Sequence, residues 1–245
     1  KEYPHEFCTE RDCRQHIDYE KTSQDITKLA EKIRADNPGL PFFIVGESLG
    51  AHMALRVANK NPDVVDGLVL SAPAIKAYTF IDAHAAVAMS EMMTLTNVHK
   101  KVNILPYLKK YASNDPEVVQ ELVADPLTRK NLTLKELIQS RAAVYKTLSF
   151  VSGIKKPVLV IQGTDDKCVH ASAVKLLTDK LSALDTEVKM FDHHGHILIE
   201  TAHIKPDTMD TLSNWFHVHS DHGAVAATSV DAEILARGGE QEKKQ

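Results

Sequence analysis

Apolar residues along this chain alternate between helical and strand-like spacing. From about Thr22 to Ala35, the positions Ile26, Leu29, Ala30 and Ile33 recur on one helical face, and Asn37-Pro38-Gly39 closes that helix. Phe42-Phe43-Ile44-Val45 is a continuous apolar run of strand length and reads as a buried strand. A helical pattern follows from Ala51 to about Lys60 and stops at Asn61-Pro62. Gly67-Leu68-Val69-Leu70 is the next short strand, ending at Ser71-Ala72-Pro73. The rhythm resumes with the strand Pro157-Val158-Leu159-Val160-Ile161 and a helix from about Ala171 to Leu184. It ends with the strand Glu187-Val188-Lys189-Met190-Phe191 and a helix from about Asp207 to Val218. Strands alternating with helices predict an α/β fold with a mostly parallel sheet flanked by helices.

Between Ala74 and Gly153 the strand pattern is absent. Segments 80–95, 115–124 and 133–150 look helical and are separated by Pro106, Pro116 and Pro126. The chain therefore divides into a first core part (1–73), a helical insertion (74–153), a second core part (154–219) and a flexible polar tail (220–245).

Composition narrows the function classes. The chain is 43% hydrophobic and 25% charged, which suits a globular protein, and its formal charge of -4 with no long basic run gives no reason to expect a nucleic-acid partner. No apolar run approaches the roughly 20 residues that span a bilayer, and no signal peptide opens the chain. Cys8, Cys13 and Cys168 form no regular framework and read as free thiols of a reducing compartment, so a cytoplasmic location is expected. Asn131-Leu132-Thr133 matches a glycosylation acceptor, but without a secretory signal it is set aside. The first residue is Lys1, not Met, which raises the expectation of residues upstream.

The candidate chemistry begins at Gly46-Glu47-Ser48-Leu49-Gly50. A G-x-S-x-G between a strand and a helix is the signature of a nucleophile elbow, where a tight strained turn holds the serine hydroxyl out at the sheet end. Gly46 and Gly50 supply the small residues such a turn requires. A serine needs a base to take its proton and a third group to orient that base. Gln162-Gly163-Thr164-Asp165-Asp166 follows one strand and offers the acid, with Asp166 preferred and Asp165 next. Asp192-His193-His194-Gly195-His196 follows another and offers the base. His196 is preferred there because it begins an apolar, helix-like segment and Gly195 allows close approach to the elbow. His194 and His193 follow it, read as solvated loop histidines. One backbone donor for an oxyanion is expected from Leu49 N–H, just after the nucleophile. No metal or other cofactor is expected. No cysteine or paired carboxylate completes a ligand set with His193, His194 and His196, and His217, His219 and His222 read as a solvated helix end.

With these residues in place, the chain resembles the monoacylglycerol lipase and lysophospholipase-type members of the α/β-hydrolase family, from about Tyr19 to Phe216. The likeness rests on Pro41 through Gly50, on Leu68-Val69-Leu70-Ser71-Ala72-Pro73, on Ala124-Asp125-Pro126-Leu127 within the insertion, and on Pro157 through Asp166. The G-x-x-D spacing from Gly163 falls on Asp166, and His196 with Glu200 matches the segment of the family's base. The resemblance implies an α/β-hydrolase fold with an inserted cap and a lipid-ester substrate drawn by an enzyme that is cytoplasmic or peripheral on membranes. It also implies a cap whose Met89, Met92 and Met93, with Ile81, Val87 and Leu95, line an acyl channel or touch a membrane. Ala51 replaces the family's second elbow glycine. The family's first four strands and its His-Gly oxyanion loop have no counterpart, so a truncated chain is expected. The leading reading is a serine hydrolase of monoacylglycerols or lysophospholipids acting through an acyl-enzyme. A catalytically silent scaffold, and an esterase or acyltransferase for other small esters, stand as alternatives.

Overall fold

Two strands open as unbroken apolar runs, and they take the middle of the sheet. The computed structural model describes residues 17–75 and 98–220. In it β1 (Phe43–Glu47), β2 (Gly67–Ser71), β5 (Val158–Gly163) and β6 (Thr186–Phe191) form one sheet in the order β1-β2-β5-β6, every pair parallel. Central parallel strands are covered on both faces, which is why β2 and β5 are buried at every position. Alternate residues serve opposite faces. Leu68, Leu70, Val158 and Val160 pack with Ala30 of α1 (Tyr19–Asp36), Leu55 of α2 (Leu49–Lys60) and Leu177 of α6 (Ser172–Thr178). Val69, Leu159 and Ile161 pack with Phe43 and with Leu212 and Trp215 of α7 (residues 206–220). The strand expected to be buried at Phe42–Val45 is instead an edge among the described residues, with Val45 45% exposed.

The stretch between β2 and β5 holds a feature its sequence hides. β3 (Lys101–Asn103) pairs antiparallel with β4 (Asn131–Thr133), although no strand was expected there. Three-residue strands are too short for an alternation to show. The helices α3 (Leu105–Tyr111) and α4 (Pro116–Ala124) lie between the two strands in the chain, and α5 (Leu134–Lys146) follows the second. Asp115 caps α4 by accepting from the Glu117 amide at 2.9 Å, and Thr133 with Glu136 forms a capping box that starts α5. The helix expected over 133–150 ends at Lys146 and passes into the 3-10 turns Thr147–Ser149 and Val151–Gly153. The helix expected over Ala171–Leu184 is reduced to α6. The expected helix at 80–95, with Met89, Met92 and Met93, lies outside the described residues, as do Cys8, Cys13 and the segment 221–245. No helix among the described residues is long and apolar enough to cross a membrane.

His52 joins α2 to the turn that follows α5. Its ring is 1% exposed, lies edge-on to Tyr19 and Phe150, and meets Thr147 Oγ1 through Nδ1 at 2.7 Å. Thr147 Oγ1 donates to Ala143 O at 3.2 Å, so Nδ1–H donates to Thr147. Burial, and then the neighbouring Arg56 charge, lower the His52 pKa to about 4. An unfolded histidine takes up a proton below about pH 6.5, so the unfolded chain binds the extra proton first. Stability from this group is therefore complete above about pH 6.5 and is lost as pH falls toward 4. In His52→Phe that acid loss is expected to be smaller by on the order of 2 kcal/mol between those limits, read from urea melts at each pH.

Candidate active site

The strand register sets the site before any side chain does. Glu47 pairs with Ser71, Ser71 with Ile161, and Gly163 with Phe191, so β1, β2, β5 and β6 end along one edge. Residues just beyond those ends meet there, as expected for an open parallel sheet.

Ser48 joins β1 to α2 with φ 54° and ψ -114°. A non-glycine residue in that region carries strain on the order of 1–3 kcal/mol and persists only when neighbours hold it. Ser48 N–H donates to Ser71 O at 2.8 Å, and Ser48 O accepts from the amides of Ala51 (3.2 Å) and Ala74 (3.1 Å). A Cβ on Gly46 would lie 2.4 Å from Gly50 O and 2.7 Å from Ala51 N, so only glycine fits. Gly50 differs from expectation: a Cβ there meets nothing within 4 Å, so the space around it does not require glycine. Leu49 opens α2, where the first amides have no intrahelical acceptor.

The structure brings Ser48, His196 and Asp166 into one line. His196 Nε2 lies 2.8 Å from Ser48 Oγ, and Nδ1 lies 2.8 Å from Asp166 Oδ2. The carboxylate assigns the proton to Nδ1, which leaves the Nε2 lone pair facing the serine hydroxyl. Asp166 Oδ2 also accepts from Gln162 Nε2 (2.6 Å), while Oδ1 accepts from the amides of Cys168 (2.7 Å) and Val169 (2.9 Å). Asp166 and His196 are both buried.

The other candidates fall elsewhere. Asp165 is exposed and sits 3.6 Å from the exposed His193. His194 is not a solvated loop residue as expected. It is buried, its ring tilted against that of Phe191, and uses Nδ1 on Asp192 O (2.9 Å) and Nε2 on Asp207 Oδ1 (3.1 Å). Gly195 makes its close approach to the turn after α3, where a Cβ would lie 2.8 Å from Asn114 N, and not to the elbow. The segment after His196 is not helical. His219 is buried against Trp215 and meets Asp185 Oδ2 at 3.0 Å, contrary to the solvated helix end expected. His222 lies outside the described residues.

Cys168 is a free buried thiol beside this line. Burial pushes its pKa up to about 12; the hydrogen bond with Tyr107 opposes this and the Asp166 charge adds to it. The thiolate needed for nucleophilic attack is therefore withheld. Asp166, Cys168 and His196 bring potential ligand atoms within 4.8 Å of one another, but each already holds a hydrogen bond. A groove of about 610 Å³ opens between α3 and α4, lined by Lys109, Pro116, Val119 and Val123, and its Ser113 and Asn114 abut Gly195.

Sequence reasoning passed over two buried groups. Glu47 accepts four hydrogen bonds at the end of β1, and Gln162 braces Asp166. The available signal was a charged or amide side chain at the end of an otherwise apolar strand, which is costly unless partnered.

A family model described as Hydrolase_4, serine aminopeptidase S33, matches residues 13–201. A monoglyceride lipase homolog of monkeypox virus is 23% identical over 202 residues, 81% of this chain and 71% of that protein. Human monoglyceride lipase is 25% identical over 182 residues, and this chain spans 59% of its length. The fold is similar to that of Paleococcus ferrophilus monoacylglycerol lipase, with a TM-score of 0.70 at 22% identity over 84% of this chain and 78% of that one.

Proposed function

The chain belongs to the Hydrolase_4 (serine aminopeptidase, S33) family of α/β-hydrolases, and from that premise we propose that it is a serine hydrolase cleaving carboxylic esters of lipids, monoacylglycerols or lysophospholipids. The hydrogen-bonded line from Ser48 through His196 to Asp166 carries the reading. Ser48 Oγ attacks the ester carbonyl while His196 Nε2 takes its proton. Asp166 keeps the ring in the required tautomer and stabilises the imidazolium that forms. The Leu49 amide donates to the developing oxyanion. His196 then protonates the departing alcohol, giving an acyl-enzyme. Water, deprotonated by His196, releases the fatty acid and restores Ser48.

The choice of lipid ester follows the relatives, a monoglyceride lipase homolog of a virus and the human monoglyceride lipase. The exposed Val102, Tyr107 and Leu127 of the insertion are the groups with which it would touch a lipid surface peripherally.

Release of the carboxylic acid, a fatty acid from a 1-monoacylglycerol or a lysophosphatidylcholine and caffeic acid from a caffeoyl ester, tests this reading. Turnover of either lipid above the caffeoyl ester is expected. Hydrolysis of the caffeoyl ester alone would overturn the substrate class. No turnover, and no adduct with a fluorophosphonate on folded protein, would overturn the enzyme itself.

A further inference from the structure

We infer that Glu47 is a positioning residue that holds the base against the nucleophile, and that it acts as a carboxylate anion. The inference rests on the serine-hydrolase reading above. Glu47 is the last residue of β1, directly before Ser48, and its side chain is buried. Oε1 accepts from the amides of Leu198 (2.8 Å) and Ile199 (3.2 Å) and from Ser71 Oγ (2.5 Å). Oε2 accepts from the amide of Glu200 at 2.8 Å. Three consecutive backbone N–H groups and a hydroxyl thus converge on one carboxylate.

Every one of these partners is used as a donor. An ionised carboxylate answers all four, and its charge strengthens each bond. A glutamine of the same size cannot, because its NH₂ would face an N–H or the Ser71 hydroxyl. The segment 196–200 is not helical, so these amides find here the acceptor that a helix would have supplied.

The placement explains what the clamp does. Glu47 is covalently adjacent to Ser48, and Leu198 lies two residues beyond His196. The carboxylate therefore closes a short circuit that includes the Ser48–His196 hydrogen bond. Ser71 reinforces it from β2, since its carbonyl accepts from Ser48 N–H and its hydroxyl donates to Glu47. On the far side the same loop is tied to the insertion, through Ile197 N–H to Ala112 O (3.0 Å) and Asn114 Nδ2 to His193 O (3.0 Å). Of these anchors, the Glu47 carboxylate is the one that joins the base to the nucleophile's own strand. Releasing it lets His196 drift, and a displacement of about 1 Å can cost on the order of 10²-fold in rate.

The test compares the full chain with Glu47→Gln and Ser71→Ala. It reads kcat and KM on a short soluble ester, the rate of fluorophosphonate inactivation, and the low-field NMR resonance of the His196 Nδ1 proton. In Glu47→Gln, kcat and inactivation rate are expected to fall about 10²-fold with KM within about threefold, and the low-field proton to shift or broaden. Ser71→Ala keeps three of the four bonds and is expected to lose about three- to tenfold. A merely structural role would lower Tm and leave the proton resonance and kcat of the folded fraction unchanged, which overturns the inference. If Glu47→Gln does not fold, Ser71→Ala decides alone: parental kcat with an unmoved proton overturns the inference, and loss of both supports it. A reactive parent with an indifferent Glu47→Gln removes this inference alone, whereas an unreactive folded parent removes the hydrolase reading with it.

Discussion

Ser48→Ala is expected to lose the fluorophosphonate adduct seen by intact mass on the parent, and to lose about 10⁵–10⁶-fold in kcat. The hydroxyl is the group that the line of hydrogen bonds is built to deprotonate, and His196 Nε2 has it at 2.8 Å. Alanine occupies the same strained turn at the same φ of 54°, because both residues carry one Cβ. The backbone bonds that hold the turn, to Ser71 O and from Ala51 and Ala74, do not use the side chain. The variant is therefore expected to fold with parental stability to within about 1 kcal/mol. KM on a lipid ester is expected to change little, since the alanine removes an interaction made on the way to the transition state. An adduct surviving in Ser48→Ala would place the reactive group elsewhere. Cys168 is a poor candidate, with its pKa pushed up to about 12.

What the sequence discloses and what it conceals have distinct physical causes. β2 and β5 were legible because strands covered on both faces need unbroken apolar runs. Phe42–Val45 carries the same kind of run yet lies at an edge, and a hydrophobic run does not say how many neighbours a strand has. Ser48, Asp166 and His196 were legible because each follows a strand end. Choosing among their neighbours depended on partners that local sequence does not encode. Asp165 and Asp166 differ by one residue, yet only Asp166 points into Gln162, Cys168, Val169 and His196. His194 and His196 differ by two, and Asp207 engages the first while Asp166 engages the second. Glu47 was hidden most thoroughly. It occupies the free position of G-x-S-x-G, and its backbone partners lie 151 to 153 residues away.

The hydrogen bonds that fix the Asp166 carboxylate make Asp166→Asn a clean probe of tautomer. Oδ1 of Asp166 is fixed by the amides of Cys168 and Val169, which accept no replacement but another acceptor. An asparagine must then keep its carbonyl oxygen there and turn its NH₂ toward His196 and Gln162. Gln162 can accommodate this, because its Oε1 has no hydrogen-bond partner among the described residues and a flip of the amide would let it accept. His196 cannot accommodate it without cost. Its Nδ1 now faces a donor, so the proton moves to Nε2, and Nε2 donates toward Ser48 Oγ where it must accept. The fold is expected to survive and kcat to fall about 10⁴-fold. Joined to Ser48→Ala, the substitution is expected to add almost nothing, since residues that act as one unit are not additive. Asp165→Asn is the control. Its carboxylate is exposed and outside the line, and parental kcat within about twofold is expected. A loss of only about tenfold in Asp166→Asn, or an equal loss in Asp165→Asn, would mean that Asp166 does not orient the base.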